Sequence, residues 1–373
     1  MLWIGLVSGT SADAVDAALV EIGDSADQVR LQAHLEHPLP RELREHLRAL
    51  ESRASLRELL RLDLEIGERF ADAARAVADH AGVPLHAVEG IGSHGQTVAH
   101  YPEPGIQGSL QIGSPSVIHA RTGRPVVADF RAADLAVGGQ GAPLTPFLHR
   151  ACLADPRECR AVLNIGGFTN VTYLPASGGR VVAFDPGPGN ALLDRAAQWA
   201  SKGRTSFDDK GRDAARGQVL ADVLEELLAD AYFAAPPPKS TGHEHFGTAF
   251  FERARDAVLE RGGSAADLQA TLAALTVASV VQAVEFFPAP PERWLVYGGG
   301  TRNTALMQAL AAALAPTPVE TTARYGMPCE ALEAIAFALL GWCAARGIAG
   351  NLPEATGARE AVVLGSLTPP RGF

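Results

Sequence analysis

The sequence predicts an α/β protein built from two related halves, and three observations carry that expectation. Short apolar runs of strand length alternate with longer amphipathic stretches, the pattern of mixed sheets flanked by helices. An apolar run over 2–7, the turn Ser8-Gly9-Thr10-Ser11-Ala12-Asp13 and a second apolar run over 15–22 read as a hairpin. That plan returns at 161–165, Gly166-Gly167-Phe168-Thr169-Asn170 and 171–174, so the second half echoes the first. At 373 residues the chain also exceeds one ordinary core, since a domain takes about 100–200 residues.

In the first half a third strand is expected over 29–39, and apolar residues at helical spacing beside a dense charged face predict one or two long helices over 41–80. Strands follow at 88–92 and 109–112, then a helix at 115–122 and a strand at 125–130. Segment 131–140 reads as a crossing between halves, because Gly138-Gly139-Gln140-Gly141 interrupts regular structure before an apolar helix beginning near Pro143. The second half then repeats the order, with a hairpin over 161–174, a third strand at 180–184 and helices within 188–200 and 212–235. The run Pro236-Pro237-Pro238-Lys239-Ser240-Thr241-Gly242 cannot be helical and reads as a functional or hinge loop. Helices over 246–262 and 265–287, a strand at 294–297, a helix after Asn303, a strand at 317–321 and a helix over 330–345 complete this half. A last strand at 361–367 is expected to pack back on the first half. The expected domains are therefore 1–130 plus 346–373, and 131–345, with an active-site cleft between them.

Composition narrows the partners. A net charge of −10 argues against nucleic acid and anionic membranes, because both are bound through clusters of Lys and Arg. Any polyanion it handles should be small and carried with a metal. Cys152, Cys159, Cys329 and Cys343 are scattered without a Cys-x-x-Cys pair, which indicates neither a zinc knuckle nor a disulfide framework. No leader precedes the first strand and no run reaches the about 18 apolar residues of a membrane span. A cytoplasmic protein is expected.

The first turn reads as a phosphate cradle. Gly9 lets the backbone approach an anion, Thr10 and Ser11 add hydroxyls to the turn amides, and Asp13 suits a hydrated Mg²⁺ on the same phosphates. An ordinary polar hairpin is the competing reading, and the echo at Gly166 and Gly167 favours the cradle. There the glycine amides, with Thr169 and Asn170, are expected to face a phosphate. Gly298-Gly299-Gly300 ends an apolar strand before a helix, so bare backbone can take a flat adenine or ribose; a plain tight turn is the alternative. It is neither a P-loop nor a dinucleotide fingerprint.

Asp185 stands in Phe184-Asp185-Pro186-Gly187-Pro188-Gly189-Asn190, where a carboxylate is either a helix cap or a general base. The rigid Pro-Gly run favours the base. Ser93-His94-Gly95-Gln96-Thr97 offers His94, Gln96 and Thr97 to a polyhydroxylated ligand, and Arg131 either holds a ligand carboxylate or pairs with Asp129. Glu333 lies on an almost wholly apolar helix, where an unpaired carboxylate is costly, so it is expected to face the ligand. His243-Glu244-His245 reads as solvated, without a third metal ligand.

Taken in order, these motifs resemble the anhydro-N-acetylmuramic acid kinase family. The resemblance is carried by residues 9–16, 93–97, 110–113, 129–131, 138–143, 164–167, 184–190, 239–242, 298–300, 333–337 and 350–353, which span nearly the whole chain. It implies a two-domain actin-like ATPase fold with duplicated mixed-sheet cores, and a cytoplasmic role in recycling cell-wall amino sugars. The implied reaction uses ATP and Mg²⁺ to phosphorylate O6 of 1,6-anhydro-N-acetylmuramate while water opens the anhydro ring. Carried onto this chain, Gly9, Thr10, Ser11, Ala12, Asp13, Ala14, Val15 and Asp16 bind the nucleotide, joined by Gly166, Gly167 and Gly298 to Gly300. Asp185 is then the base, and His94, Gln96, Thr97, Arg131 and Glu333 contact the sugar. A homodimer is consistent with the resemblance. Ala14, Pro186 and Phe168-Thr169 depart from the family pattern: Ala14 adds a methyl to the first turn, and Pro186 removes an amide donor beside the base. On the residues alone, a kinase for another carbohydrate and an ATP-driven interaction switch are the alternatives.

Overall fold

The computed structural model describes all residues except 10, 11, 54, 104 and 370–373, and no side chains at 48, 49 and 51–53. In chain order the elements begin with β1 (Leu2–Ser8), β2 (Ala14–Ile22), β3 (Val29–Pro38), α1 (Arg41–Arg53), α2 (Leu56–His80), β4 (Val88–Tyr101) and β5 (Gly108–Ile112). Next come α3 (Pro115–Thr122), β6 (Val126–Ala128), α4 (Ala132–Ala136), α5 (Pro146–Leu153), β7 (Arg160–Ile165), β8 (Phe168–Leu174), β9 (Val182–Pro188) and α6 (Asn190–Ala200). The remainder is α7 (Ala221–Leu228), α8 (Ala231–Ala234), α9 (Thr248–Glu260), α10 (Ala265–Gln282), β10 (Arg293–Tyr297), α11 (Thr304–Ala313), β11 (Val319–Thr321), α12 (Leu332–Ala345), α13 (Pro353–Thr356) and β12 (Ser366–Thr368).

These fall into two units, Met1–Leu153 with Ala331–Phe373, and Ala154–Glu330. Segments 131–153 and 331–345 thus join the first unit, where the sequence had suggested the second. The reason lies in α12, which is apolar on nearly every face and so gives no sequence clue to its partner; it packs on β1 and β4. Its fit depends on bare backbone, since a Cβ at Gly5 would overlap the Ala334 carbonyl oxygen and one at Gly92 that of Phe337.

The first unit's sheet runs β12-β6-β4-β1-β2-β3, with β5 added on β4, and the second unit's runs β11-β10-β7-β8-β9. Both follow one plan. β1, β2 and β3 are antiparallel neighbours, as are β7, β8 and β9, while β4 joins β1 in parallel just as β10 joins β7. The last strand, β12, does return to the first unit, antiparallel to β6.

Each unit buries its own core. In the first, Ile4, Leu6, Leu19 and Ile91 of the sheet meet Leu62, Ile66, Phe70 and Val77 of α2 at helical spacing. In the second, Leu163, Tyr173 and Val296 meet Leu268, Leu272 and Leu275 of α10. The stretch Ala265–Phe286 is long and apolar enough to cross a membrane by length and composition, yet 67% of its apolar window is buried in the protein. A core helix meets that test equally well. The helices expected within 212–235 are α7 and α8, and α7 starts only at Ala221 because the Asp208 carboxylate takes the amides of Asp213 and Ala214 and holds a turn there.

Candidate active site

In the first unit the β1–β2 turn is open on one side. Gly9 is exposed, and a Cβ there would meet nothing within 4 Å. The Ala12 amide bonds the Gly9 carbonyl at 3.0 Å, and Ala12 adopts the left-handed region at φ 52°, a conformation that a residue with a Cβ enters at a cost. Ala14 instead begins β2 in regular register opposite Pro38, so the extra methyl there is absorbed by the strand. Thr10 and Ser11 lie outside the described residues.

The turn is supported from below by β4. Gln96 is buried and its Nε2 donates to the Gly9 and Thr97 carbonyls, both at 3.3 Å. Its Oε1, with Ser8 Oγ and Ser93 Oγ, is buried without a partner among the described residues. Gln96 therefore braces the turn, a role that motif spacing did not reveal. Val15 is fully buried in the core, and Asp16 lies 3.5 Å from His34 Nε2. Thr97 Oγ1 accepts from Gln111 Nε2 at 3.2 Å. Asp13 is half exposed and paired with Arg44 at 3.0 Å. Among the described residues no group of three or more His, Cys, Asp or Glu could hold a metal ion. A single exposed carboxylate suits Mg²⁺ all the same, since that ion keeps several waters and takes phosphate oxygens as ligands.

His94, which is buried, and Arg131, which is half-buried, form a pair in this unit. In the β1–β4 ladder Leu6 faces Ser93 and Ser8 faces Gln96, so His94 and Gly95 bulge opposite Val7. The His94 ring lies 4.4 Å from that of Phe337 on α12. Arg131 donates from Nε and Nη2 to His94 Nε2 at 3.1 and 2.9 Å, and from Nη1 to the Gly141 carbonyl at 2.7 Å. An arginine has no acceptor, so His94 is neutral with its proton on Nδ1, which donates to the Gly95 carbonyl at 3.1 Å. Burial first, then the Arg131 charge, holds the His94 pKa well below its usual value. Burial likewise lowers Arg131 to about 10, against the stabilising charges of Glu333 and Asp134. Asp129 does not pair with Arg131; its carboxylate takes the Ala132 amide.

The Gly138 and Gly350 motifs meet beneath this pair. Asp134, wholly buried, accepts from Asn351 Nδ2 and Thr356 Oγ1 at 2.7 Å each and from the Gly141 amide at 2.8 Å. That fixes the carbonyl on which Arg131 rests. These motifs are braces for the arginine.

In the second unit the β7–β8 turn is used differently. The Gly166 amide bonds the Phe168 carbonyl, and the Gly166 and Gly167 carbonyls accept the amides of Asn190 and Ala191 at the start of α6. The buried Thr169 hydroxyl accepts from the Gly187 amide and donates to the Gly187 carbonyl, bracing β8 against β9. Gly167 remains exposed.

Asp185 sits in a β-bulge. In the β8–β9 ladder Thr169 faces Gly187 and Val171 faces Phe184, so Asp185 and Pro186 together oppose Asn170. β9 is an edge strand, which is why it continues through Pro186 and Pro188 beyond its expected end at 184. The carboxylate is held at both oxygens: Asn170 Nδ2 donates to Oδ1 at 2.7 Å and the Thr241 amide to Oδ2 at 3.0 Å. Asn164 Nδ2 in turn donates to Asn170 Oδ1 at 3.1 Å, which orients the amide. Burial raises the Asp185 pKa to about 6 despite those two bonds, and Glu244 adds to the rise. Helix α6 is capped at Gly189, so Asp185 does not cap it.

The glycine triplet lies at the end of β10. Gly298 has φ 88°, and a Cβ there would overlap Asn164 Oδ1, while one at Gly300 would overlap Ile165 Cγ2. Gly299 differs. It is exposed, and a Cβ would meet only Asn190 Nδ2 at 3.9 Å. Two glycines are thus required by packing against β7, and the third leaves an open backbone surface.

Two mixed sheets on one strand plan, each with polar groups gathered at its strand ends, define a duplicated α/β class. The model of the anhydro-N-acetylmuramic acid kinase family matches residues 1–370. The chain belongs to that family. Curated relatives named anhydro-N-acetylmuramic acid kinase include one from Xanthomonas campestris pv. campestris (strain 8004), 45% identical over 99% of this chain and 97% of its own length. Another, from Salinibacter ruber, is 41% identical over 98% of this chain and 96% of its own. Among solved structures, the activator of 2-hydroxyisocaproyl-CoA dehydratase from Clostridium difficile with bound ADPNP aligns at TM-score 0.48 and 12% identity, covering 93% of this chain and 96% of that one. A ROK family glucokinase from Streptomyces griseus in complex with glucose and AMPPNP aligns at TM-score 0.40 and 15% identity, covering 92% and 99%.

Proposed function

We propose that this protein phosphorylates O6 of 1,6-anhydro-N-acetylmuramate with ATP while a water opens the anhydro ring, giving N-acetylmuramate 6-phosphate and ADP. The observation that carries this reading is Asp185, held at both carboxylate oxygens with its pKa raised to about 6, in a chain that belongs to this kinase family. O6 is tied into the bridge and has no proton to lose, so a base is needed for water and not for the acceptor. Asp185 takes a proton from that water, whose oxygen bonds to C1 as the C1–O6 bond breaks. The O6 electron pair bonds to the γ-phosphorus, and the bond to ADP breaks.

In the first unit, the turn at 9–13 holds the phosphates, with the Gly9 backbone as the approach and Gln96 as its support; Val15 and Asp16 lie in β2, Val15 in the core and Asp16 beside His34, away from that role. Mg²⁺, held through water by Asp13, would neutralise the phosphate oxygens. Arg131, kept in place by His94, Gly141 and the charge of Glu333, receives the lactyl carboxylate, and Thr97 faces the sugar. In the second unit, Gly167 and Gly299 offer exposed backbone to the nucleotide, and Gly166, Gly298 and Gly300 shape those surfaces. The setting is the cytoplasm, in recycling of cell-wall amino sugars.

Comparing turnover on the anhydro sugar, on ring-opened N-acetylmuramate and on glucose tests the proposal. Turnover should fall at least tenfold on each of the last two, since removing the bridge removes the reason for a water-directed base. Equal turnover on glucose would contradict it.

A further inference from the structure

Lys239 is the one lysine in the Pro236 to Gly242 loop, and it is half-buried. Its Nζ lies 4.7 Å from the Phe286 ring centroid, 5.0 Å from that of Tyr232 and 5.7 Å from that of Phe184. It donates to the carbonyls of Tyr232 and Phe233, both at 3.1 Å. Those carbonyls lie in the last turn of the short helix α8, where the Tyr232 carbonyl also accepts the Ala235 amide at 3.2 Å. The cation thus ties the loop to α8 and to three aromatic faces at once.

The same residue touches Asp185 through its backbone. The Lys239 carbonyl accepts the Asp185 amide at 3.1 Å, and two residues further on the Thr241 amide reaches Asp185 Oδ2 at 3.0 Å. Tyr232, one wall of the cage, donates its hydroxyl to the Asp185 carbonyl at 2.8 Å. The three prolines before Lys239 have no N–H groups, so that part of the loop cannot anchor itself by amide donation. The side chain of Lys239 supplies the anchor.

We propose that Lys239 is a positioning residue for Asp185: its caged ammonium locks the 236–242 loop so that the Thr241 amide meets the carboxylate and the Asp185 backbone stays in its bulge. This inference rests on the reading of Asp185 as the base. Around the carboxylate the titratable groups are Lys239 on the loop, Glu244 just after it and Tyr232 on α8. The Thr241 bond favours the charged carboxylate, so loosening the loop raises the Asp185 pKa further.

The test follows Asp185 directly, by ¹³C NMR of the ligand-free enzyme labelled at aspartate side-chain carboxyls, with Asp185→Asn to assign the signal. In the wild type the carboxyl should titrate near 6. In Lys239→Met the midpoint should rise by at least about half a unit, and the acid limb of kcat/KM should move with it while KM for ATP stays within twofold. An unchanged midpoint in folded Lys239→Met overturns the proposal. Should that variant fail to fold, Phe286→Leu thins the cage and keeps the lysine; a rise supports the proposal and an unmoved midpoint overturns it. Aminoethylation of Lys239→Cys restores the length and charge of lysine and should return the midpoint, with treated wild type as control because Cys152 and Cys159 are partly exposed. Full turnover in Asp185→Asn would instead refute the base reading, whatever the midpoint does.

Discussion

The β1–β2 and β7–β8 hairpins occupy the same place in two copies of one strand plan, yet their turns spend their backbone groups in opposite ways. At the first, Gly9 is exposed over open space, Gln96 steadies the turn from beneath, and three buried polar atoms lack partners among the described residues. At the second, the glycine carbonyls are spent on the start of α6, and Asn164 and Asn170 lead inward to Asp185. In the proposed function the first turn receives the phosphates and the second organises the base. The duplicated backbone supplies positions, and the side chains at the strand ends decide which chemistry each position serves.

The largest way to break this contrast is Asp185→Asn. Turnover should fall by about 10²–10⁴ fold, the usual share of a general base, while ATP binding measured by calorimetry persists. A loss of ATP binding of the same size would mean that both hairpins serve the nucleotide. The pH profile tests the same division without a mutation. A base must be deprotonated, so kcat/KM should fall about tenfold per unit as pH drops below the Asp185 pKa of about 6, and level off above it. A flat profile between 5 and 7 would remove Asp185 from the proton transfer.

Smaller effects separate the glycines. Gly300→Ala should lower stability by about 1–3 kcal/mol, because the added methyl overlaps Ile165 and the packed core must shift. Gly299→Ala should leave thermal unfolding nearly unchanged, within about 0.5 kcal/mol, and weaken ATP binding. Gln96→Leu should raise KM for ATP several-fold and leave KM for the sugar within twofold, since Gln96 bonds the Gly9 carbonyl. An effect confined to the sugar would return Gln96 to the ligand role read from its motif.

Much of the fold was legible because apolar periodicity is local. The helix at 115–122 and the strands around the first turn need only their own residues to be read, and both appear as expected. Strand β4 runs on through the polar Ser93 to Tyr101 because β1 and β5 pair with it there, a tertiary cause that hides the strand from its own sequence. The site divides likewise. Asp185 stood out by its flanking prolines and glycines, but Asn170 reads as a phosphate donor until the bulge sets it opposite the carboxylate. Thr241 and Lys239 lie more than fifty residues from Asp185 in sequence, and only folding brings them to it. The proline run before them was the available signal.

If Asp185 directs a water to the anomeric carbon while O6 takes the phosphoryl group, the oxygen of that water ends on the anomeric carbon. Mass spectrometry of product formed in ¹⁸O-water tests this most directly, with the reaction quenched early and unlabelled N-acetylmuramate 6-phosphate carried through as the control for exchange at the hemiacetal. One ¹⁸O is expected at the anomeric hydroxyl of each phosphorylated sugar and none in its phosphate. Phosphorylated product without anomeric label, or with label in the phosphate, would contradict it.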